Sequence, residues 1–242
     1  VITALLLQHG SAAFLAVLGG VAASALLGLV NGILITRLSV VPFIVTLGSM
    51  GVARGLAKYL AHEQKVDAPA GALASFMAKA PEPAWLLVAP GTWALLLLAL
   101  LMAFVLRRSV FGLHTYAIGS NEATARLCGV RVPRVKLLIY TVAGAFAGLA
   151  GVLQFARLTV GDPTTAMGKE LDVIAAVVIG GASLSGGVGG ILGSMLGAFL
   201  MSVLANGCTL TGVPNYVQEI LIGVIIVAAV ALDRLRRGRE DS

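Results

Sequence analysis

The segment VFGLHTYAIGSNEATARLCGVRVPRVK, residues 110–136, is the one long polar insert between two hydrophobic spans that has the marks of a built element. Its centre reads as a short helix. Ser120 or Asn121 supplies an N-cap, Glu122 sits at the positive end of the helix dipole, Arg126 lies near the other end, and Gly129 closes the helix in a left-handed conformation. Pro133 opposes any easy continuation. The residues from Glu122 to Cys128 make about two turns, roughly 10 Å. Ala123, Ala125 and Gly129 are small enough to let another surface approach closely. The segment therefore reads as a peg that docks on a partner. The alternative is an ordinary basic loop of a membrane protein, and the rest of the chain decides between them.

Composition settles the class. With 58% hydrophobic and 12% charged residues, the 242-residue chain carries more apolar material than a soluble core uses and fits a multi-span membrane protein. The net charge of +6 does not point to nucleic acid, because the basic residues lie in loops flanking apolar spans without interleaved aromatics. Catalytic patterns are thin. His9, His62 and His114 are scattered without a second ligand at metal spacing, and Ser183 and Ser185 have no His or Asp nearby in sequence to activate them. Cys128 and Cys208 fall on opposite sides of the bilayer in the topology below, so neither a disulfide nor a metal site is expected. The glycine-rich run from Gly180 to Gly193 lacks a Gly-Lys-Ser or Gly-Lys-Thr ending and the GxGxxG spacing, so it is no phosphate loop. No enzyme is expected here, no cofactor is expected on this chain, and any ATP is hydrolysed by another subunit.

In chain order, Val1 to Leu7 reads as the tail of an earlier span, without a starting methionine or a basic leader, so a truncated chain is expected. Ala12 to Ile35 is long enough to cross hydrocarbon, and a second span runs from Pro42 to about Ala61. Arg54 and Lys58 near its end can snorkel to headgroups, with Arg54 on a translocation path as the alternative. His62 to Pro83 reads as a lid-like segment. Ala84 to Leu106 returns across the membrane, with Trp85 and Trp93 toward one interface and Arg107 and Arg108 at the other end. Leu137 to Phe155 spans again. Leu171 to Ala182 is too short to cross and reads as a half-span that enters and breaks at the glycines, tolerable only where protein or water covers the open backbone. Ile191 to Thr209 and Asn215 to Leu232 complete the set.

The expectation is thus an all-α, polytopic membrane helix bundle of about six full spans, an N-terminal remnant and a broken half-span. It forms a single transmembrane domain over residues 1–242, with a cytoplasmic docking loop at 110–136, the coupling loop of the resemblance described below, and a cytoplasmic tail at 233–242. Arg37, the loop from Arg107 to Lys136 and the tail arginines hold eleven of the seventeen basic residues on one side, which should be the cytoplasmic one. Gly28 with Gly32, Gly51 with Gly55, Gly144 with Gly148 and Gly193 with Gly197 each put two small residues on one helix face, as close helix crossings need. Asp162, Lys169, Glu170, Asp172 and Glu219 gather at the outer ends of the spans that bracket the half-span. They read as a solvated rim or as an outer gate and dock for an external protein, with Glu170, Asp172, Gly180 and Gly181 the candidate pathway or gate residues.

Four stretches then make the chain recognisable: VNGILITRL at 30–38, PFIVTLGSMGVARGL at 42–56, AIGSNEATARLCGV at 117–130 and ELDVIAAVVIGGASLSGGVGG at 170–190. In this order they closely resemble the membrane-spanning permease subunits of bacterial ABC importers for ribose, xylose and related monosaccharides, and the resemblance covers essentially the whole chain. It implies a helical bundle in the bacterial inner (plasma) membrane, multi-pass with its C-terminus cytoplasmic, that works as a pair with a second permease copy, the same or different. Two ABC ATPase subunits carrying ATP and Mg would sit on the cytoplasmic side, and a periplasmic or extracellular sugar-binding protein would deliver substrate. The family's coupling helix falls on Asn121 to Gly129, the peg read above. Family members begin with further spans and a glycine-aspartate-leucine-serine type motif, which this chain lacks before Val1. Two other classes stand beside this reading. An ion-coupled secondary transporter would need a central coupling carboxylate that the sequence does not show; a non-transporting structural subunit is the other.

Overall fold

The computed structural model describes residues 1–69, 71–77 and 89–240, without the side chains of Ala72, Ala229 and residues 232–240. The described chain is predominantly helical. In order it comprises α1 (Ile2–Gln8), α2 (Ala13–Arg37), α3 (Pro42–Leu60), β1 (Val66–Asp67), α4 (Gly71–Phe76), α5 (Pro90–Arg108), α6 (Val110–Ser120), α7 (Glu122–Leu127), α8 (Val132–Leu158), β2 (Val160–Gly161), α9 (Lys169–Ile179), α10 (Ile191–Leu210) and α11 (Asn215–Glu240). They fall into two compact units, one of residues 1–97 and 131–165, the other of residues 98–130 and from Ala166 onward.

Among the described residues, four helices are long and apolar enough to cross a membrane: α2, α5, α8 and α10, with 25, 19, 27 and 20 residues. The sequence reading counts six. Of the two others, α3 has the length but carries Arg54 and Lys58 in its last two turns, which lowers its apolar character. In α11 the apolar part is the shorter stretch Asn215–Ala228. Within the spans, threonine hydroxyls donate to carbonyls one turn back, as in Thr36 to Gly32 (2.6 Å), Thr141 to Leu137 (2.8 Å) and Thr209 to Ala205 (2.9 Å). That satisfies a polar group where lipid offers no partner. Large apolar side chains such as Phe14, Leu97, Phe104 and Leu196 face outward, as a bilayer-facing surface requires.

The first unit is built on α2 lying along α8. Glycines make the crossing close: a Cβ placed at Gly144 would lie 3.0 Å from the Cα of Gly28, one at Gly148 would lie 2.9 Å from the Cα of Val21, and one at Gly32 would lie 3.0 Å from the Cα of Leu137. Two-residue strands β1 and β2 pair antiparallel, Val66 opposite Gly161 and Asp67 opposite Val160. They help enclose a small core of Ala4, Leu7, Ala16, Ala61, Val66 and Phe155. The segment expected to be lid-like therefore contains a strand tied to the end of α8 and a short helix, α4; its residues 70 and 78–83 lie outside the described residues. So do residues 84–88 of the expected third span, with Trp85, while the tail arginines lie where side chains are not described. A Cβ placed at Gly51 or Gly55 of α3, or at Gly48, would have no neighbour within 4 Å, so the Gly51–Gly55 pair makes no close crossing among the described residues.

In the second unit α9 packs on α10 and α11, with Ala175, Ala176 and Met201 buried between them and Ile222 and Ile226 against that cluster. The expected half-span is the 11-residue α9, about 16 Å long at 1.5 Å per residue, half the hydrocarbon thickness of roughly 30 Å.

A methyl group on Gly144 has no free space, because the opposing backbone cannot move as a side chain can. Gly144→Ala should therefore destabilise the detergent-solubilised protein by about 1–3 kcal/mol, read as a lower midpoint of thermal unfolding. Gly51→Ala, in open space on a helix interior, should leave the midpoint unchanged or raise it.

Candidate functional site

The short helix expected at the centre of residues 110–136 is α7, and it is capped at both ends. Asn121, and not Ser120, is the N-cap of α7: its backbone is extended and its Oδ1 accepts from the Thr124 amide at 2.9 Å. At the other end Gly129 has φ +84. Its amide donates to the Arg126 carbonyl and the Val130 amide to the Ala125 carbonyl, both at 3.1 Å. These crossed bonds form a Schellman closure, which needs a left-handed residue at that position. Helix α8 follows, with Pro133 in its first turn, where it withholds no needed donor.

The surface that α7 presents differs from the one expected. Ala125 is only 4% exposed and faces its own chain, so it does not set a partner's approach distance. A two-turn helix lying on a protein has an inner face, and Ala125 is on it. Ala123, Arg126 and Gly129 are exposed, and Leu127, which the sequence reading passes over, is 88% exposed. A leucine on an otherwise polar or alanine-rich short helix is the signal that could have marked it. Among the described residues a surface recess is lined by Glu122, Ala123, Arg126 and Leu127. Arg126 Nη2 lies 3.3 Å from Glu122 Oε1, an i, i+4 pair at the surface. Such a pair contributes little to stability; it orders two charged groups beside an apolar one.

Before α7 comes α6, a helix the sequence reading does not assign. Ser109 caps it, accepting from the Gly112 amide at 3.2 Å, and a single residue, Asn121, separates its end from α7. The end of α6 lies against the glycine-rich turn that follows α9. Tyr116 donates its hydroxyl hydrogen to the Gly189 carbonyl at 2.8 Å. A Cβ at Gly186 would lie 2.6 Å from the Gly119 carbonyl oxygen.

The break after α9 follows the same chemistry as the end of α7. Gly181 has φ +85, its amide donates to the Val178 carbonyl at 2.9 Å and the Ala182 amide donates to the Val177 carbonyl at 3.1 Å. The turn is closed by the Ser183 amide donating to the Val188 carbonyl at 3.0 Å. Part of the open backbone that a half-span creates is thus satisfied within the chain. Gly180 has α10 on its free side, a Cβ there lying 2.7 Å from the Ser194 nitrogen, so it is a packing position with no room to line a path. On α10, Gly193 returns that contact and Gly197 lies on the Ala176 carbonyl.

Of the charges expected at the outer face, Lys169 and Asp172 pair at 2.6 Å in the first turn of α9, beside Glu170. Glu219 is exposed on α11. In the first unit, Asp162 Oδ1 accepts from the Thr164 hydroxyl at 2.6 Å and the Thr164 amide at 2.8 Å, and Lys65 lies 3.7 Å away. The Thr164 bonds, and then the Lys65 charge, hold the Asp162 carboxyl below its ordinary value.

Over residues 1–230 the chain matches the family described as the permease component of branched-chain amino acid transport systems. It is 36% identical over 231 residues to the ribose import permease protein RbsC of Escherichia coli (strain K12), covering 93% of this chain and 70% of that protein. It is 34% identical over 248 residues to the L-arabinose ABC transporter permease protein AraH of Azospirillum brasilense, covering 99% and 70%. With RbsC of Bacillus subtilis (strain 168) it shares 40% over 205 residues, covering 84% and 63%. No solved structure matches it. The chain belongs to the family of ABC importer permease components that includes these ribose and arabinose permeases.

Asn121→Ala should remove the α7 cap, at a cost of about 1 kcal/mol, and raise amide hydrogen exchange at Thr124 and its neighbours about fivefold. For Asp162, whose folded pKa is depressed, the carboxylate's stabilisation is complete above the ordinary aspartate range and is lost as pH falls through the lowered folded value. Thr164→Val should move the Asp162 pKa back up toward the ordinary range, measured by NMR titration.

Proposed function

We propose that this chain is one of two permease copies in an ATP-driven importer that carries a monosaccharide of the ribose, xylose or arabinose kind across a bacterial inner membrane. The relatives named for ribose import and L-arabinose transport support the substrate class. ATP and Mg bind separate ATPase subunits, and an external sugar-binding protein supplies the substrate. The observation that carries the coupling role is α7: a helix fixed at both ends by Asn121 and Gly129, presenting Leu127 at 88% exposure beside an ordered Glu122–Arg126 pair. An apolar knob flanked by charges suits a groove on a partner, the leucine supplying buried area and the pair supplying register.

Transport then follows as alternating access. ATP closes the ATPase pair, the two α7 helices move with it, and the bundle passes between arrangements open to either side. The side bearing Arg37, the α6–α7 region and the C-terminus is cytoplasmic in this scheme, and α9, with Glu170 and Asp172 at its start, borders the path at the outer face. The broken α9 suits that place, since a half-span with a self-satisfied end tolerates a water-filled neighbour.

The test is co-purification with the ATPase encoded beside this chain. Leu127→Asp should reduce the bound ATPase at least tenfold, because a buried unpaired carboxylate replaces an apolar contact, and sugar uptake into proteoliposomes should fall with it. Retention of the ATPase at the unmodified level would remove α7 from the interface.

A further inference from the structure

Two stretches of backbone in the second unit are interlocked with almost no side chain between them. At the end of α6, a Cβ on Gly119 would lie 2.5 Å from the Gly187 nitrogen; from the other side, a Cβ on Gly187 would lie 2.8 Å from both the Cα and the nitrogen of Ser120. Gly186 and Gly187 have φ of +93 and +76, so the turn that makes this approach strongly favours glycine at both positions. The Tyr116 hydroxyl bonded to Gly189 at 2.8 Å ties the same two segments one helical turn earlier.

The covalent neighbours of this contact matter. On one side Ser120 is followed by Asn121, the cap of α7, so no linker separates α7 from the contact. On the other side the turn joins α9 to α10, which are themselves locked at Gly180 against Gly193 and at Ala176 against Gly197. A packed side-chain interface absorbs a small shift by changing rotamers. Apposed glycine backbones have no rotamers to change, so a shift on one side is passed on or the contact breaks.

We propose that this contact is the joint through which α7 moves the α9–α10 pair, and that Tyr116, Gly119 and Gly187 are positioning residues for coupling. The proposal rests on α7 being the ATPase contact, and its test separates the two ideas.

The reporter is Val173→Cys on α9, an exposed position, placed in the full chain with Cys128 and Cys208 changed to serine and purified with the ATPase encoded beside it. Its reaction rate with a water-soluble maleimide is measured with and without MgATP plus vanadate. With the joint intact the nucleotide should change the rate at least fivefold. Tyr116→Phe should leave the ATPase bound and its basal hydrolysis within about twofold, while cutting the nucleotide response about threefold, as loss of one hydrogen bond allows. Gly187→Ala, which also strains a left-handed residue, should abolish the response. An undiminished response in both variants overturns the joint. So does loss of the ATPase in Tyr116→Phe, which would make the contact a support for the fold of α7 alone. Leu127→Asp distinguishes the underlying reading: it should release the ATPase, whereas the joint variants should not. Failure of the unmodified chain to hold the ATPase overturns both.

Discussion

Close approach of one backbone to another, possible only where side chains are missing, is the constraint on which this architecture depends. It occurs where α2 crosses α8 at Gly28, Gly32, Gly144 and Gly148, where α9 meets α10 at Gly180, Gly193 and Gly197, and where α6 meets the turn at Gly119, Gly186 and Gly187. In hydrocarbon there is no hydrophobic force to bring helices together, since lipid tails are as apolar as leucine. Packing at short range takes that role, and it strengthens as the backbones come closer.

Glycine also has a second and different role here. At Gly129 and Gly181 the same Schellman closure ends a helix, once at the peg and once at the break in the half-span. In both places the closure satisfies carbonyls that a free helix end would leave open. At the peg it holds a two-turn helix that would not persist alone. At α9 it allows a helix to stop after half a membrane thickness. The two ends are then joined through α6 and the turn, so these two departures from simple spanning helices in the second unit are linked to one another.

Membership in the ABC importer permease family agrees with this division of labour. A transporter subunit needs rigid spans and a small number of places where motion enters. The α2–α8 pair has the first character, and the second is the role proposed for α7 and for the contact of α6 with the turn after α9. Neither description depends on which sugar is carried, and the residues that make these contacts are mostly glycine, alanine and a single tyrosine.

Much of this was legible in the sequence for a definite reason. Apolar runs, glycine spacing, capping residues and the position of Pro133 are local features, and local chemistry decides where helices start, stop and become too short to span. That is why the all-α membrane class, the short capped helix between Asn121 and Gly129 and the short helix that breaks at Gly180 and Gly181 could be read directly, along with the resemblance to importer permeases. Which face of a helix is used is not local. Ala125 and Leu127 are both small or apolar residues of one short helix, yet the first is buried and the second stands out, because the folded chain around α7 decides which side is inner. Likewise, Gly51 and Gly144 each have a second glycine four residues on, but of the two only Gly144 has another helix against it. The contact of Tyr116 with Gly189 joins residues far apart in the chain, and such pairings exist only once the chain is folded. The sequence by itself determined the helical membrane class and the caps and breaks that local chemistry sets; the tertiary structure decided which surfaces meet, because meeting depends on every element at once.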